Sequence, residues 1–179
     1  MKDARLELPL HRQVSFVLVR PHYPENVGAC ARAIKTMGFS ELVLVKPSRL
    51  AVPEHEMAFK MAVRAWDVLH AARRVQTVEE AIEGVDLVVA TSSHRGISGV
   101  LTARQAALEI GKRCAGGARA AVLFGNEKTG LAAEEIAGAT RCLRIPMVAD
   151  QPSINLAQAV QIVAYELFVA ALEARSGAS

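Results

Sequence analysis

The sequence predicts an α/β fold, a mostly parallel sheet with helices on both faces. Short, almost uninterrupted apolar runs alternate along the chain with segments that carry helical periodicity and helix end signals. Strands that are apolar throughout are buried on both faces, which is typical of parallel sheets covered by helices. A chain of 179 residues is long enough for one domain with a substantial core, so we expect a single domain over residues 1–179.

The first half of the chain contributes two strands and two helical segments. Residues 14–20 form a nearly continuous apolar strand, and residues 41–46 form the next one. Between them, a helix over about residues 25–37 ends before Gly38, because glycine commonly terminates helices. Residues 53–74 are predicted to be mostly helical.

The second half begins with the spacing of a capping box. Thr77 and Glu80 have this spacing, which predicts a short helix, and residues 85–91 form a strand. Thr102 and Gln105 repeat the spacing and open a helix that ends near two consecutive glycines. The remaining predicted elements are strands at 118–124 and 142–145, a short helix at 132–137 and a long helix at 153–174.

Composition indicates a cytoplasmic globular protein. Hydrophobic residues make up 51% of the chain, but no uninterrupted apolar run approaches the roughly 18 residues of a membrane helix. Residues 1–7 lack the apolar region of a signal peptide. Cys30, Cys114 and Cys142 lie far apart without metal-ligand spacing, so we expect reduced, partly buried thiols and no metal.

The net charge of +3 is too small to indicate a nucleic-acid partner by itself. Several arginines lie near predicted loops and element ends, which is consistent with a local basic face and equally with an ordinary solvated surface. These arginines are Arg5, Arg12, Arg20, Arg95 and Arg104.

One loop differs from an ordinary turn. The apolar run 120–124 ends in a loop with Gly125 and Gly130 at its ends. Such a loop places free backbone N–H groups at the carboxyl edge of the sheet, where open α/β sheets bind ligands. The glycine spacing fits a Walker phosphate loop, but Leu131 and Ala132 replace the lysine and the hydroxyl that phosphates and magnesium require. The loop is therefore predicted to hold a ligand other than a triphosphate.

Three more polar loops follow predicted strands. They are residues 20–26, which enter the helix carrying Gly28, Arg32 and Lys35, residues 91–94, and residues 145–153, which enter the last helix with Asn155 near its start. Because the carboxyl ends of parallel strands meet at one edge, these loops and the glycine loop are expected to form a composite site.

Each candidate residue in these loops also has a structural explanation. Asn26 or Ser153 fits the N-cap of the helix that follows it, and Arg32 fits a surface cation. Glu127 fits a carboxylate that satisfies loop amides, and His94 fits an exposed structural residue. One such residue alone is weak evidence for a functional site, so the candidate residues are interpreted as a set.

Three short motifs in this set resemble those of a known family. They are Asn26-Val27-Gly28-Ala29-Cys30-Ala31-Arg32, then Phe124-Gly125-Asn126-Glu127-Lys128-Thr129-Gly130, then Ile145-Pro146-Met147 with Ser153-Ile154-Asn155-Leu156-Ala157-Gln158-Ala159-Val160. Over about residues 14–170, their order and spacing resemble the ribose 2′-O branch of the SPOUT superfamily of RNA methyltransferases. Within the branch, the chain is most similar to bacterial tRNA methyltransferases that modify cytidine or uridine at position 32 of the anticodon loop.

The resemblance implies a fold feature, a cofactor and partners. SPOUT members have a deep trefoil knot, formed where the C-terminal segment threads through a preceding loop, and bind S-adenosylmethionine among the knotted loops. By resemblance, the cofactor would contact Thr91, Ser92, Ser93, Leu123, Gly125, Asn126, Glu127, Gly130, Ile145, Met147, Ser153 and Ile154. The implied partners are an RNA, foremost a tRNA, and a second copy of the chain in a homodimer, with no membrane and no metal.

Homodimers of the family complete the site across the interface, often with the arginine of the first motif. The apolar faces of the first and last helices suit such an interface, and a closed core within one chain explains them too. These faces carry Ala29, Ala33, Leu156, Val160, Val163 and Leu167.

The resemblance also implies catalytic roles. The ribose 2′-hydroxyl is a poor nucleophile at neutral pH, so the site must stabilise developing alkoxide and align its attack on the methyl group. The family's arginine, here Arg32, is sometimes described as the base, but a guanidinium is effectively always protonated. We therefore expect Arg32 to act by electrostatic stabilisation and phosphate positioning. Asn26 is expected to orient Arg32 or the ribose, Glu127 and Ser153 to order the site, and Asn155 to brace the third loop.

The sequence departs in places from the pattern of position-32 enzymes. His94 stands where a small residue is more common, and Asn126 replaces a common arginine. Ser179 follows shortly after the last helix, so a core of about residues 14–170 without a C-terminal extension is expected. These departures leave another tRNA position, such as wobble 34, and ribosomal RNA open as substrates.

Two other classes are weighed against a methyltransferase. A non-catalytic RNA-binding α/β module would keep the fold and lose activity, and the presence of Arg32 with the other motif residues argues against it. A dehydrogenase or kinase on a Rossmann-like sheet is disfavoured, because no G-x-G-x-x-G follows the first strand and the Walker motif fails.

Overall fold

The computed structural model describes residues 6–94, 96–148 and 153–177. The strands in these residues are β1 (Val14–Val19), β2 (Glu41–Val45), β3 (Arg73–Val75), β4 (Leu87–Thr91), β5 (Leu101–Thr102), β6 (Ala120–Phe124) and β7 (Arg141–Arg144). The helices are α1 (Pro24–Thr36), α2 (Glu56–Met61), α3 (Trp66–His70), α4 (Val78–Ala81), α5 (Ala103–Ala115), α6 (Ala133–Ala137) and α7 (Leu156–Gly177), and a 3-10 helix (Pro9–Arg12) precedes β1. Arg5 and Arg95, expected on a basic face, lie outside the described residues.

The strands form one parallel sheet in the order β3-β2-β1-β6-β4-β7-β5, which confirms the predicted parallel sheet. Phe16 of β1 pairs with Leu42 of β2 on one side and with Val122 of β6 on the other. The strand order therefore reverses at β1. Ligands of open α/β sheets bind at such a reversal, outside the carboxyl ends of the strands.

Helices cover both faces of the sheet, as predicted. The larger core lies under α1, α5 and α7 and contains a ring cluster of Phe16, Phe39 and Phe124. The short helices α4 and α6 cover the opposite face, where the smaller core includes Val17 and Val45. All six residues of β1 are buried, which explains why this strand shows no alternation of polar and apolar residues.

The segment predicted as mostly helical, 53–74, contains two short helices and the start of an edge strand. In the turn between α2 and α3, Arg64 has a φ of +60°, a left-handed conformation that interrupts a helix. Arg73 and Arg74 belong to β3, whose Val75 pairs with Val45 of β2. The prediction of a helix at residues 73–74 is wrong, because pairing with the sheet outweighs local preference.

Two other boundaries differ from the prediction. Strand β5 was not predicted, because Leu101 and Thr102 are too few to show a strand pattern. The last helix begins at Leu156, because the side-chain oxygen of Asn155 accepts a hydrogen bond from the Ala157 N–H at 2.9 Å and caps the helix there. Ser153 is therefore not the N-cap.

Both predicted capping boxes lie at helix starts. Thr102 Oγ1 accepts from the Gln105 N–H at 3.2 Å, and Gln105 Oε1 accepts from the Thr102 N–H at 2.9 Å, so this box is complete. Thr77 Oγ1 accepts from the Glu80 N–H, but the Glu80 carboxylate accepts from the Gln76 N–H. The second box is therefore formed on one side only.

The length and composition of α7 would also suit a membrane span. An 18-residue window of its Leu156–Ser176 segment has a mean hydropathy of 1.4, and 33% of that window is buried. Val160, Val163, Ala164 and Leu167 are buried in the larger core. One side of α7 therefore packs into the larger core, whereas most of the window is not buried.

That burial also bears on the two explanations of the apolar faces of α1 and α7. Ala33, Leu156, Val160, Val163 and Leu167 are all buried within the single chain. The closed-core explanation is therefore confirmed for these five residues. Ala29, the sixth residue of the predicted faces, is only half-buried. The use of α1 and α7 in a homodimer interface stays a prediction.

The three cysteines are structural. Cys30, Cys114 and Cys142 are buried and unpaired. Burial raises the pKa of the Cys114 thiol to about 11 and raises the pKa of Cys142 above its ordinary value. These thiols therefore stay protonated near neutral pH and behave as small apolar side chains.

Candidate active site

The loops that follow β1, β6, β4 and β7 meet at the carboxyl edge of the sheet. These four strands are consecutive in the sheet order and parallel. The loops comprise residues 20–23, 125–130, 92–94 and 145–148. The sheet topology thus brings together the described parts of all four loops of the predicted composite site, and residues 149–152 of the predicted loop 145–153 lie outside the described residues.

The Glu127 carboxylate joins the glycine loop to the segment that enters α1. Its Oε2 accepts from the His22 N–H at 2.8 Å, and its Oε1 accepts from the Tyr23 N–H at 3.2 Å. Oε1 also accepts from the side-chain amide of Asn26 at 2.9 Å. A carboxylate suits this place, because N–H groups at a helix start have no partners within the helix and favour negative charge. Glu127 is therefore held in one orientation.

Asn26 connects Glu127 to the start of α7. Its Nδ2 donates to Glu127, and its Oδ1 accepts from Nδ2 of Asn155 at 3.0 Å. Asn26 lies in the first turn of α1, whose N-cap is Tyr23, so the N-cap interpretation of Asn26 is wrong. The structure thus links one predicted catalytic residue from each motif, Asn26, Glu127 and Asn155, and we call these three residues the amide–carboxylate cluster.

The glycine loop closes on itself. Asn126 and Gly130 form an antiparallel bridge, in which the Gly130 N–H donates to the Asn126 carbonyl at 2.8 Å. Asn126 Oδ1 accepts from the N–H groups of Lys128 and Thr129, and its Nδ2 donates to the Arg20 carbonyl at 2.6 Å. Most of the loop N–H groups that we expected to be free for a ligand are therefore used within the loop.

Gly125 is required by this closure. A Cβ placed on Gly125 would lie 2.2 Å from the Gly130 carbonyl carbon and 2.3 Å from the Leu131 nitrogen, far inside contact distance. Gly130 has a φ of +69°, which glycine adopts without strain. The two glycines therefore shape the loop itself.

Thr91 and Ser92 tie β4 to both of its neighbours. Thr91 Oγ1 donates to the Leu123 carbonyl at 2.9 Å, and the Ser92 N–H donates to the Leu143 carbonyl at 3.0 Å. Ser93 is exposed beyond them. The loop after β4 is thus fixed between the glycine loop and the loop after β7.

The predicted cofactor residues divide between the two faces of the sheet. The Leu123 side chain lies in the smaller core and lines an open groove of about 500 Å³ beside α4 and α6. Ile145 packs against the larger core on the other face, and Met147 and Ile154 are half-buried. The Leu123 carbonyl group accepts the hydrogen bond from Thr91 at the end of β4, whereas the Leu123 side chain lies in the smaller core.

The loops after β4 and β7 combine backbone donors with apolar side chains. Within residues 6–94, 96–148 and 153–177, the N–H groups of Ser93 and Met147 form no backbone hydrogen bond. Ile145, Met147 and Ile154 supply half-buried apolar side chains on these loops and the segment before α7. Backbone donors beside apolar walls fit a nucleoside. In the same residues, no group of three His, Cys, Asp or Glu side chains could hold a metal.

Arg32 lies apart from the amide–carboxylate cluster. Arg32 lies six positions after Asn26 on α1, which turns it about 120° around the helix and displaces it about 9 Å along the axis. Arg32 is exposed, and outside the helix ladder its only hydrogen bond to a described residue joins its carbonyl to the Thr36 hydroxyl. The described hydrogen bonds of the Asn26 side chain go to Glu127 and Asn155, and none joins it to Arg32 of the same chain. Ser153 is exposed as well.

Residues 13–165 match the SpoU rRNA Methylase family. The chain belongs to this family. It is 38% identical over 165 residues to the tRNA (cytidine/uridine/adenosine-2′-O-)-methyltransferase TrmJ of Pseudomonas aeruginosa, a match that covers 91% of this chain and 63% of TrmJ. The chain thus spans less than two thirds of this relative.

Solved structures share the fold of this SpoU-family chain. A probable methyltransferase from Bordetella pertussis Tohama I superposes with a TM-score of 0.84 at 34% identity, covering 91% of this chain and 96% of that one. A structure that concerns the 2-OH methylation of C/U34 on tRNA has a TM-score of 0.68 at 27% identity, covering 89% and 97%. The resemblance found in the sequence motifs is confirmed.

The sequence motifs did not point to three side chains that lie beside the amide–carboxylate cluster, namely His22, Tyr23 and Lys128. The Tyr23 ring is 42% exposed, and Lys128 Nζ lies 5.5 Å from its centroid. Lys128 Nζ is also 3.1 Å from His22 Nε2, and His22 packs edge-on against Tyr23. The signal in the sequence is an exposed aromatic residue directly before the proline that begins α1. A ring with a cation over its face suits contact with a nucleobase.

An ion pair fixes the chain where it leaves β1. Arg20, with a φ of +51°, bonds the Glu135 carboxylate of the α6 segment. Although burial alone would raise the pKa of the Glu135 carboxyl, hydrogen bonds from Arg20 and from the Ala132 N–H hold it below its ordinary value. The pair thereby positions the segment that carries His22 and Tyr23.

Proposed function

We propose that this SpoU-family chain is an S-adenosylmethionine-dependent 2′-O-ribose methyltransferase of tRNA, acting on cytidine or uridine at position 32 of the anticodon loop. The observation that carries the proposal is the amide–carboxylate cluster, whose hydrogen bonds join the three family motifs at the carboxyl edge of the sheet. The similarity to TrmJ supports a tRNA substrate and the 2′-O position.

The cofactor would bind among the loops after β4, β6 and β7, with Ser153 and Ile154 closing the site. S-adenosylmethionine would supply this site with an electrophilic methyl group on a sulfonium. The N–H groups of Ser93 and Met147, which have no backbone partner among the described residues, are suited to the adenine edge, and Ile145 and Ile154 are suited to its faces.

The remaining task of the protein is to favour the nucleophilic form of the ribose hydroxyl. The Glu127 carboxylate already accepts three hydrogen bonds, so we assign it to positioning and not to proton removal. The Arg32 guanidinium carries a permanent positive charge, which would stabilise the developing alkoxide and hold a neighbouring phosphate.

The outward position of Arg32 supports a homodimer in which it completes the site of the facing chain. Its side chain is exposed and turned away from the cluster of its own chain. Such a dimer would use exposed residues of α1 together with the side of α7 that is not buried, since only 33% of the 18-residue apolar window of α7 is buried within one chain.

We also propose the trefoil knot of the SPOUT superfamily. The sheet order supports it, because β7 lies between β4 and β5, and these two strands are joined to each other by residues 92–100. A chain that leaves β7 beneath that connection and continues into α7 would be threaded through it. Residues of about 14–170 would then act as one catalytic domain, in the cytoplasm where tRNA is modified.

A second candidate substrate is the wobble nucleotide at position 34. The similar structure that concerns C/U34 on tRNA is covered to 97% by this chain, whereas TrmJ is covered to 63%. Both candidates involve the same reaction on the same loop of tRNA, so one experiment separates them.

The experiment is transfer of radiolabelled methyl from S-adenosylmethionine to unmodified tRNA, followed by nucleoside digestion and mass spectrometry. Labelled 2′-O-methylcytidine or 2′-O-methyluridine is expected, and mapping the label distinguishes position 32 from position 34. Asn26→Asp is the matched control, because it replaces the donor that faces Glu127 with an oxygen and should abolish transfer. Cofactor binding without transfer to tRNA or ribosomal RNA would indicate a non-catalytic module instead.

A further inference from the structure

A groove with a cationic lining lies beside the C-terminal half of α1. It has a volume of about 490 Å³ and lies between α1 and the turn that joins α2 to α3. Its lining includes Arg32 and Lys35 of α1 and Arg64 of the turn. The left-handed conformation of Arg64 turns the chain at this point, so the groove is a consequence of the break between α2 and α3.

The groove carries net positive charge. Lys35 is paired with Asp67, but Arg32 and Arg64 have no ion-pair partner among residues 6–94, 96–148 and 153–177. No acidic residue lines the groove. Two unneutralised guanidinium groups beside one cavity complement a ligand with more than one negative charge, such as a phosphodiester backbone.

An exposed aromatic pair adjoins the groove. The rings of Phe59 and Trp66 stack with centroids 5.1 Å apart and planes 8° from parallel, and Trp66 Nε1 donates to the Phe59 carbonyl at 3.2 Å. Phe59 and Trp66 are 44% and 43% exposed, in a chain that is only 4% aromatic. Met61 and Val63 are exposed between them in sequence. Trp66 directly follows Ala65, a residue that lines the groove, so the stacked rings lie within a few residues of Arg64 along the chain.

We propose that this aromatic–cationic surface, formed by Arg32, Arg64, Phe59 and Trp66, binds a single-stranded segment of the RNA substrate. Proteins bind single strands by placing cations along the phosphates and aromatic rings against the bases. Arg32 and Arg64 would contact phosphates, and a base would stack on the Phe59–Trp66 pair. The inference rests on the proposed function, because it names how the RNA of that function is held.

The position of the surface fits the proposed dimer. Arg32 belongs both to this surface and to the site proposed for the facing chain. An RNA strand that leaves that site would therefore pass over Arg32 to Arg64 and Trp66. The surface would contact nucleotides next to the one that is methylated.

A second copy of the chain is the competing occupant. If the surface met itself across a two-fold axis, Arg32 and Arg64 of both chains would face each other with no acidic lining residue between them. Like charges in contact disfavour that association, whereas RNA supplies the opposite charge. Charge complementarity therefore favours RNA.

The chain contains a single tryptophan, so its fluorescence reports on this surface alone. The full chain would be titrated, without S-adenosylmethionine, with an unmodified tRNA anticodon stem-loop, with a single-stranded RNA of about twelve nucleotides and with a duplex of equal length. Saturable quenching is expected with the stem-loop and the single strand, because a base stacks on Trp66. The duplex is expected to quench far less, because its bases are not available for stacking.

Two variants test the two parts of the surface, with binding measured by anisotropy of labelled RNA. Trp66→Ala is expected to weaken single-strand binding about tenfold, because it removes one stacked base. Arg64→Asn, which tolerates the left-handed conformation, is expected to lower the slope of log affinity against log salt by about 0.7, the loss of one phosphate contact. The exposed residues Leu108 and Arg113 of α5 provide matched controls, and Leu108→Ala and Arg113→Ala are expected to change neither quantity.

The outcomes separate this inference from the proposed function. RNA binding that leaves Trp66 fluorescence and the affinity of Trp66→Ala unchanged would overturn the inference, even if methyl transfer to tRNA is observed. A loss of self-association in Trp66→Ala or Arg64→Asn, with RNA affinity unchanged, would also overturn it, because a second copy of the chain would then cover the surface. Quenching by RNA with no methyl transfer would support the inference and contradict the catalytic proposal alone.

Discussion

Asn155 and Asn26 form a side-chain hydrogen bond of 3.0 Å across 129 positions of sequence. The same Asn155 caps α7 with its side-chain oxygen, and the same Asn26 donates to Glu127. Each amide therefore uses its donor and its acceptor on different partners, so neither can rotate without losing a bond. The first turn of α1, the start of α7 and the glycine loop are thereby fixed as one unit.

Asn155→Asp tests the hydrogen bond to Asn26 separately from the capping of α7. A carboxylate caps a helix as well as an amide does, so the thermal midpoint should change little. The new oxygen would face Oδ1 of Asn26, so kcat/KM for methyl transfer should fall at least about tenfold, the loss of one hydrogen bond. Asn155→Ala removes both interactions and should also destabilise the fold by about 1 kcal/mol. Full activity in Asn155→Asp would mean that the bond does not matter for the site.

Gly125→Ala should deform the glycine loop. The added methyl group would collide with the backbone of Gly130 and Leu131, which cannot yield as a flexible side chain can. We expect a loss of about 1–3 kcal/mol in the free energy of unfolding, measured by denaturant titration, and weaker S-adenosylmethionine binding by calorimetry. Gly111→Ala on α5 is the control, because its Cβ would meet nothing within 4 Å and should stabilise the helix slightly.

Arg32→Ala should lower kcat/KM for methyl transfer by about a hundredfold or more. The affinity of this variant for S-adenosylmethionine should stay unchanged. Arg113→Ala is the matched surface control. Mixing inactive Arg32→Ala chains with inactive Asn26→Ala chains should restore activity, because a mixed dimer contains one site with an intact Asn26 faced by an intact Arg32. If Arg32→Ala lost cofactor affinity as strongly as methyl transfer, Arg32 would not act on the methyl-transfer step alone. If the mixed chains stayed inactive, Arg32 would not act in the site of the facing chain.

His11 should make stability fall at mildly acidic pH. The ring is buried between Phe39 and Phe168, its Nδ1 accepts from the Leu8 N–H, and burial lowers its pKa below the ordinary value of 6.5. The folded state therefore prefers neutral histidine, so this stabilisation is complete above pH 6.5 and is lost as the pH falls further.

The measurement is the unfolding midpoint of the wild type and of His11→Gln between pH 8 and pH 5. Glutamine can still accept from the Leu8 N–H and carries no titrating group, so the difference between the two proteins should shrink or reverse toward pH 5. A constant difference across that range would exclude His11 as the cause.

Much of the fold could be predicted from the sequence, because strands buried on both faces leave long apolar runs. The same logic placed the loops after β1, β4, β6 and β7 at one edge, where the structure has them. It failed where tertiary pairing decides: β5 consists of two residues held by β7, and Arg73 and Arg74 pair directly with Val43 and Leu44 of β2.

The contacts within the site were less predictable than its location. Asn26, Glu127 and Asn155 were identified by motif, but nothing in their spacing shows that they bond to one another. The glycine loop was expected to offer free N–H groups, and the Asn126 side chain occupies two of them. Arg32 shares a motif with Asn26, yet helical geometry turns it away.

The place of β7 between β4 and β5 has a consequence for synthesis of the protein. Residues 87–102 leave the ribosome long before residues 141–144. The edges of β4 and β5 that pair with β7 therefore stay exposed until β7 has been synthesised. Unpaired edges of this kind are the usual starting points of aggregation, and pairing between distant segments is slow. Chaperone dependence of the newly made chain should therefore end only when β7 has emerged.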